Sequence, residues 1–210
     1  MNDEALELFT SSCAALGAEV YGRRQVADKP AARIGFERLT AQHPELFDGW
    51  LGLAASGVAD LDVLENAHRA ADTAGELIAA TDVSVDAVDF PFDTGLYIQL
   101  TARGIDGVTL ALAAARAAHG QYAAARDLLD DRLLHAQPLL GGWVLAVIYF
   151  LSHRWHDVRS VLAPLAAQSR NDPFLHQAVS VAQGLSTARL GMWEQAFELL
   201  KDQGRGPIPG

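Results

Sequence analysis

One spacing constrains this chain more than any other feature. The residues Ala32, Phe36, Leu39 and Pro44 follow the pattern Ala-x3-Phe-x2-Leu-x4-Pro, and Trp50 comes six residues after the proline. The first three share one face of a helix, the proline ends that helix, and the tryptophan belongs to the next one. The spacing therefore predicts stacked helix pairs, an architecture that offers an extended surface to other proteins.

The same phase returns further along the chain. At Gly120-x-Tyr122 and Gly191-x-Trp193, a glycine ends one helix and an aromatic residue opens the next. Tyr122, Trp155 and Trp193 lie 33 and 38 residues apart. These intervals bracket the roughly 34-residue period of tetratricopeptide (TPR) repeats. The predicted fold class is mainly α, a TPR-like α-solenoid of about five helix pairs.

Two residue types have structural roles in this prediction. The four tryptophans occupy framework positions of the repeats and are expected in the core; they are Trp50, Trp143, Trp155 and Trp193. The single cysteine, Cys13, lies among apolar residues spaced three and four apart, which predicts a buried structural thiol. One cysteine also excludes a disulfide within the chain.

The helical pattern is interrupted from Val83 to Gly107. Apolar residues mostly alternate there, and Asp93-Thr94-Gly95 separates two such runs. The segment predicts a short two-stranded β insertion with a turn at its centre. Asp-Thr-Gly is also the signature of aspartic proteases, but that chemistry needs two such aspartates sharing a proton. A turn is the better interpretation, because aspartate and glycine are preferred in turns for backbone reasons.

No other motif points to catalysis. His153 and His156 have a spacing that can bind zinc on a helix, but they straddle a predicted turn and no third ligand is indicated. The sequence contains no Gly-x4-Gly-Lys-Ser/Thr phosphate-binding loop. We therefore predict no catalytic, cofactor-binding or metal-binding residues in this chain.

Charge and hydropathy narrow the class of partner. The formal net charge is −10, which argues against nucleic acid as a partner because phosphate binding needs clustered Lys and Arg. The start, Met-Asn-Asp-Glu, lacks the basic and apolar regions of a signal peptide. The longest apolar run, Trp143 to Leu151, is too short to cross a bilayer. These features predict a cytoplasmic protein with no direct membrane insertion.

Three residues are candidates for partner binding. Arg116 and Arg189 occupy or border groove-facing positions in otherwise apolar helices, where an isolated basic residue could bind a carboxylate. An intramolecular ion pair is the equal alternative for both. Tyr97, just after the Asp-Thr-Gly turn, is the third candidate.

Segments spread over most of the chain also carry a family resemblance. They include Asp48-Gly-Trp-Leu-Gly-Leu-Ala-Ala55, Phe92-Asp-Thr-Gly-Leu-Tyr97 and Ala188-Arg-Leu-Gly-Met192. In this order they resemble the N-terminal domain of the EccA family, the AAA-family ATPases of type VII (ESX) secretion systems. The resemblance is strongest around the Asp-Thr-Gly-Leu-Tyr segment, which generic TPR proteins lack.

This resemblance implies several properties. The fold would be a TPR-like superhelix with a β-finger, which would be Val83–Gly107 here. A second domain that uses ATP and magnesium would follow and assemble into a homo-hexameric ring. The N-terminal domain would meet secreted substrates or their chaperones, as well as neighbouring subunits of the hexamer. The catalytic residues of the family have no counterpart in this chain.

The expected organisation is a TPR-like domain over residues 1–203, with the insertion at 83–107, and a linker-like tail over 204–210. We expect further repeats and an ATPase domain beyond the tail. The predicted function is a protein–protein interaction domain that docks secreted substrates or their chaperones. The alternative is a regulatory or structural domain that controls the hexameric ring without binding substrate. The least favoured hypothesis is an enzyme that uses Asp93 or the histidine pair.

Overall fold

The computed structural model describes residues 3–16, 28–57, 60–74, 104–171 and 173–201. Within these residues the chain forms α-helices and one short 3-10 helix at Ser169–Asn171, and no strand. The chain is mainly α, as the sequence predicts. The helices are α1 (Asp3–Ala15), α2 (Lys29–Gln42), α3 (Phe47–Ala55), α4 (Leu61–Ala74), α5 (Gly104–Ala118), α6 (Tyr122–Asp127), α7 (Asp131–Ala136), α8 (Pro138–Leu151), α9 (Trp155–Gln168), α10 (Pro173–Arg189) and α11 (Trp193–Leu200).

The chain divides into two compact units. The first combines residues 1–87 with 99–115, and the second combines 88–98 with 116–210. In the first unit α1 packs on α2, α2 on α3, and α3 on α4. In the second unit α6 and α7 pack on α8, and the contacts then run from α8 to α9, α10 and α11 in order. The contacts therefore follow chain order from α1 to α4 in the first unit and from α8 to α11 in the second.

The α2 residues of the first spacing, Ala32, Phe36 and Leu39, lie in the core of the first unit. Phe36 and Leu39 of α2 are completely buried. A Cβ atom at residue 52 would overlap the ring of Phe36, so α3 can approach α2 this closely because Gly52 has no side chain. Pro44 lies in the turn between the two helices, and its carbonyl oxygen accepts a hydrogen bond from Trp50 Nε1 at 2.8 Å.

Aspartate side chains cap the first turns of two helices. Asp28 Oδ1 accepts a hydrogen bond from the backbone N–H of Ala31 at 3.1 Å. Asp60 Oδ1 accepts one from the N–H of Val63 at 2.9 Å. Each carboxylate satisfies an N–H group that the first turn of a helix leaves free, which fixes where α2 and α4 start.

Two short helices, α6 and α7, precede Pro138. α6 stops at Asp127, and α7 starts again because Asp130 caps it, accepting a hydrogen bond from the N–H of Leu133 at 2.7 Å. Pro138 follows the end of α7 by two residues and begins α8. Proline suits the first turn of a helix because its missing N–H would have no partner there.

The β insertion predicted at 83–107 lies outside the described residues up to residue 103. Residues 104–107 form the first turn of α5, so the predicted boundary at Gly107 is wrong. Asp106 in that turn complements the positive end of the helix dipole and favours a helix there. Tyr97 and the Asp93-Thr94-Gly95 segment also lie outside the described residues.

The tryptophan prediction is only partly correct. Trp143 is buried, and Trp50 and Trp155 are half-buried. Trp193, at the start of α11, is 69% exposed, and Phe197 one turn later is 66% exposed. In the described part of the second unit, α10 is the main packing neighbour of α11. The buried face of α11 holds Ala196 and leaves this aromatic flank open.

Candidate functional site: a groove between α9, α10 and α11

A groove lies between three helices of the second unit and has a volume of about 850 Å³. We call it the α9–α11 groove. One wall is a face of α9 that carries His156, Arg159, Ser160 and Ala163. This spacing of three and four residues places the four side chains on one side of the helix. Val158, Leu162 and Leu165 are buried on another side of the same helix, and they hold the wall in place.

Arg159 is the half-buried cation of this wall. Its Nη1 donates a hydrogen bond to Met192 Sδ at 3.0 Å, and a thioether is a weak acceptor. Met192 is the N-cap residue of α11, so Arg159 reaches from α9 to the start of the opposite helix. Within the described residues, no carboxylate lies within ion-pair distance of Arg159.

The opposite wall is formed by α11, through Glu194, Gln195, Glu198 and Leu199. Glu198 forms an ion pair with Lys201 on the same helix. The side chain of Met192 does not cap the first turn of α11. Because Arg159 contacts Met192, the positive end of the α11 dipole lies near Arg159. Glu194 is in the first turn of α11.

The floor of the groove belongs to α10, through Gln183 and Thr187. Thr187 is 1% exposed, and its Oγ1 has no hydrogen-bond partner among the described residues. Its carbonyl oxygen accepts the N–H of Met192 at 3.2 Å, which joins the floor to the start of α11. A buried hydroxyl without a hydrogen-bond partner lowers the stability of the folded state by about 1–3 kcal/mol. Most buried polar groups are paired, so the unpaired hydroxyl of Thr187 is unusual.

Close packing of α10 against α11 sets the geometry of this side of the groove. Gly184 of α10 faces Leu200 of α11, and a Cβ atom at residue 184 would come within 2.5 Å of Leu200 Cγ. The absent side chain at residue 184 therefore lets the two helices approach. Gly191 has φ of 78° in the turn between them, a left-handed conformation that favours glycine.

The predicted partner-binding residues lie elsewhere or outside the described chain. Arg116 is half-buried in the last turn of α5, and its carbonyl oxygen accepts the N–H of Gln121 at 2.9 Å. Arg189 is exposed at the end of α10, with its guanidinium carbon 6.0 Å from the centre of the Trp155 ring. Neither arginine lines the α9–α11 groove. Their roles in partner binding stay predictions, as does that of Tyr97.

His153 and His156, the pair with zinc-binding spacing, lie on either side of the start of α9. His153 lies in the turn before α9 with φ of 59°, and its ring packs edge-on against Trp155 at 5.3 Å. His156 is exposed and lines the groove. The described part of the chain contains no group of three or more His, Cys, Asp or Glu residues placed to hold a metal ion.

Sequence reasoning missed Arg159 and Thr187 as candidate site residues. A signal for Arg159 exists, because His156, Arg159 and Ala163 form a stripe offset from the buried apolar face of α9. Thr187 has no such signal, since a threonine in a helix usually bonds to its own backbone. Its lack of a partner emerges only from the packing of α10.

None of the helices in the described ranges combines the length and the apolar character needed to cross a bilayer.

Comparison with known proteins gives one consistent family. Residues 10–210 match the family described as "T7SS, ESX-1 secretion system protein EccA1, N-terminal domain". The chain is 38% identical over 208 residues to the ESX-3 secretion system protein EccA3 of Mycobacterium tuberculosis (strain ATCC 25618 / H37Rv), covering 95% of this chain and 32% of the relative. It is 36% identical over 213 residues to EccA3 of Mycobacterium leprae (strain TN), covering 99% of this chain and 33% of the relative.

A solved structure agrees with these relatives. The crystal structure of the N-terminal domain of the EccA1 ATPase from the ESX-1 secretion system of Mycobacterium tuberculosis matches with a TM-score of 0.75 and 25% identity. The match covers 98% of this chain and 72% of the solved one. The chain spans about a third of the length of the curated EccA3 relatives, at 32% and 33%. The chain therefore belongs to the family of EccA N-terminal domains of type VII secretion systems.

Proposed function

We propose that this chain is a protein–protein interaction domain of an ESX secretion ATPase and that it docks secreted substrates or their chaperones. The observation that carries the proposal is the α9–α11 groove, an open cleft whose polar side chains are incompletely satisfied within the domain. Arg159 has a thioether as its polar partner, and Thr187 Oγ1 has none among the described residues. Polar groups in this state gain more from a bound partner than groups that are already paired.

The proposed architecture is a TPR-like solenoid over residues 1–203, with a β-finger between residue 83 and the start of α5. The order of helix contacts within each unit supports it, because sequential helix pairs that pack on their neighbours are the basis of helical repeats. The remaining two thirds of a full-length protein would hold the ATPase domain, with ATP and magnesium, and would form the homo-hexamer. The protein would work in the cytoplasm.

Co-purification with proteins of the same secretion locus tests this function. The tagged chain is expressed together with each helical-hairpin substrate of that locus and each associated chaperone. We expect at least one of them to be retained on the tagged chain after washing. If every protein of the locus is lost in the wash, the docking function is wrong.

The same experiment separates docking from the regulatory alternative. A domain that only controls the ATPase ring would retain no substrate or chaperone, whereas its deletion from the full-length protein would change hexamer formation or ATPase rate. A docking domain loses substrate association on deletion even where the ATPase rate is unchanged.

A further inference from the structure

Polar groups of α9 and α10 converge on Met192 at the start of α11. Arg159 of α9 contacts Met192 Sδ at 3.0 Å, and the N–H of Met192 bonds to the carbonyl oxygen of Thr187 of α10 at 3.2 Å. Met192 is itself the N-cap of α11 and offers no side-chain acceptor to the first turn. One residue, Met192, therefore joins α9, α10 and α11 beside the groove-lining residues Arg159 and Thr187.

The chemistry of this place favours an anionic acceptor. A guanidinium group carries five N–H donors, and the sulfur of Met192 accepts one of them weakly. The first turn of α11 adds backbone N–H groups and the positive end of a helix dipole. The hydroxyl of Thr187, 1% exposed and without a partner in the described chain, adds a further donor.

We propose that this part of the α9–α11 groove binds a carboxylate group of the docked polypeptide. Arg159 holds the carboxylate by charge-assisted hydrogen bonds, and the buried hydroxyl of Thr187 in the groove floor becomes a donor to the same segment when the floor adjusts to the partner. The inference rests on the proposed function, because it assigns the chemistry of the segment that the domain docks. A carboxylate suits the site because its planar oxygens match the paired donors of a guanidinium.

The rest of the groove defines which acidic segments fit. Glu194 lies in the first turn of α11 and Glu198 one turn later, so a segment rich in acidic residues would be repelled. The side-chain amides of Gln183 and Gln195 make no hydrogen bond within the described residues. Amide side chains can donate to and accept from an extended main chain. The expected ligand is therefore an extended segment with one carboxylate, flanked by neutral or basic residues.

The test uses the secretion-locus protein that co-purifies with the chain. Its Kd is measured by biolayer interferometry for the unaltered chain and for Arg159→Gln, Arg159→Lys, Thr187→Val and Arg126→Gln. Arg126 is the matched control, since it is an exposed arginine of α6 that does not line the groove. Circular dichroism and the Tm of each variant establish that it folds.

We expect Arg159→Gln to weaken binding about tenfold or more, because a charge-assisted hydrogen bond is lost. Arg159→Lys keeps the positive charge but lacks the paired donors of a guanidinium, so its Kd should lie between those of the unaltered chain and Arg159→Gln. Thr187→Val weakens binding while the Tm stays equal or rises, a combination that a purely structural role would not produce. Arg126→Gln binds within about twofold of the unaltered chain.

Synthetic 15-residue peptides that tile the partner identify the source of the carboxylate. Each binding peptide is compared with versions in which Asp becomes Asn, Glu becomes Gln, or the terminal carboxylate becomes an amide. Loss of binding with one of these changes, in the unaltered chain but not in Arg159→Gln, identifies the group that Arg159 holds.

The possible failures are distinguishable. If Arg159→Gln binds the partner as tightly as the unaltered chain, the carboxylate site is wrong and the docking function stands. If every neutralised peptide binds like its parent, the carboxylate site is wrong as well. If no secretion-locus protein binds the unaltered chain, the docking function fails and the carboxylate site fails with it.

Discussion

At the scale of single residues, burial rather than residue type decides what a side chain contributes. Trp143 and Trp193 have the same side chain and belong to the same compact unit, yet they are 5% and 69% exposed. The repeat spacing treats both as framework residues. It cannot tell that Trp193 lies on an open flank, because that depends on which helix packs beside α11.

The first prediction compares these two tryptophans. Trp143→Ala is expected to lower the free energy of unfolding by about 3–5 kcal/mol, because it leaves a cavity beside Val147 and Ala146. Trp193→Ala is expected to change it by less than about 0.5 kcal/mol. Urea denaturation of both variants measures the difference. Equal losses would show that the flank of α11 is covered in the folded protein.

The second prediction concerns Cys13, the single cysteine of the chain. Burial, with a smaller effect of the Asp48 charge, raises the pKa of its thiol from 9.0 to about 11. The thiolate fraction at pH 8 is then about a hundredfold lower than for an unperturbed thiol, so iodoacetamide should react correspondingly slowly. Asp48→Asn removes the Asp48 charge, the smaller cause of the raised pKa, and should modestly raise the rate at which iodoacetamide alkylates Cys13. Alkylation at the rate of free cysteine would contradict the placement of Cys13.

The raised pKa of Cys13 also makes the free energy of unfolding depend on pH. An unfolded cysteine loses its proton near pH 9.0, whereas the folded protein holds it until about pH 11. The folded state therefore binds more protons in this interval, and the free energy of unfolding falls as pH rises from about 9 to 11. Cys13→Ala should remove this part of the pH dependence, as measured by urea denaturation at several pH values.

At the scale of helices, what the sequence predicts well is local. Asp28 and Asp60 mark helix starts because a cap involves residues only three positions apart. Pro138 is ambiguous in the sequence, since a proline can follow one helix or begin the next, and in the structure it does both, between α7 and α8. The groove could not be predicted as a whole, because it depends on how three helices pack, although the polar stripe of α9 is visible in the sequence.

The third prediction tests the close packing of α10 and α11. Gly184→Ala places a Cβ atom within 2.5 Å of Leu200 Cγ, and we expect a loss of about 1–3 kcal/mol with faster hydrogen exchange in α11. Gly142→Ala is the control, because the atoms nearest to its Cβ would be those of the Leu165 side chain, at 3.1 Å and beyond, and they lie on α9. Unchanged exchange in α11 for Gly184→Ala would contradict this packing.

At the scale of the whole molecule, the charge of the chain gives a further expectation. A net charge of −10 repels acidic partners at long range, whereas the carboxylate site attracts one acidic group at short range. Selection of an acidic partner would therefore depend on the local contact with Arg159, because the negative charge of the whole chain repels such a partner. This explains how an acidic domain can bind a segment that carries a carboxylate.

The central claim is that the α9–α11 groove is where a secretion partner docks. Site-specific photo-crosslinking tests it most directly, with p-benzoylphenylalanine at Ala163 on the groove face of α9. Ala123, exposed on α6 and outside the groove, is the control position. We predict crosslinks from position 163, but not from position 123, to a substrate or chaperone of the same secretion locus, identified by mass spectrometry. Crosslinks to that partner from position 123 and none from position 163 would contradict the account.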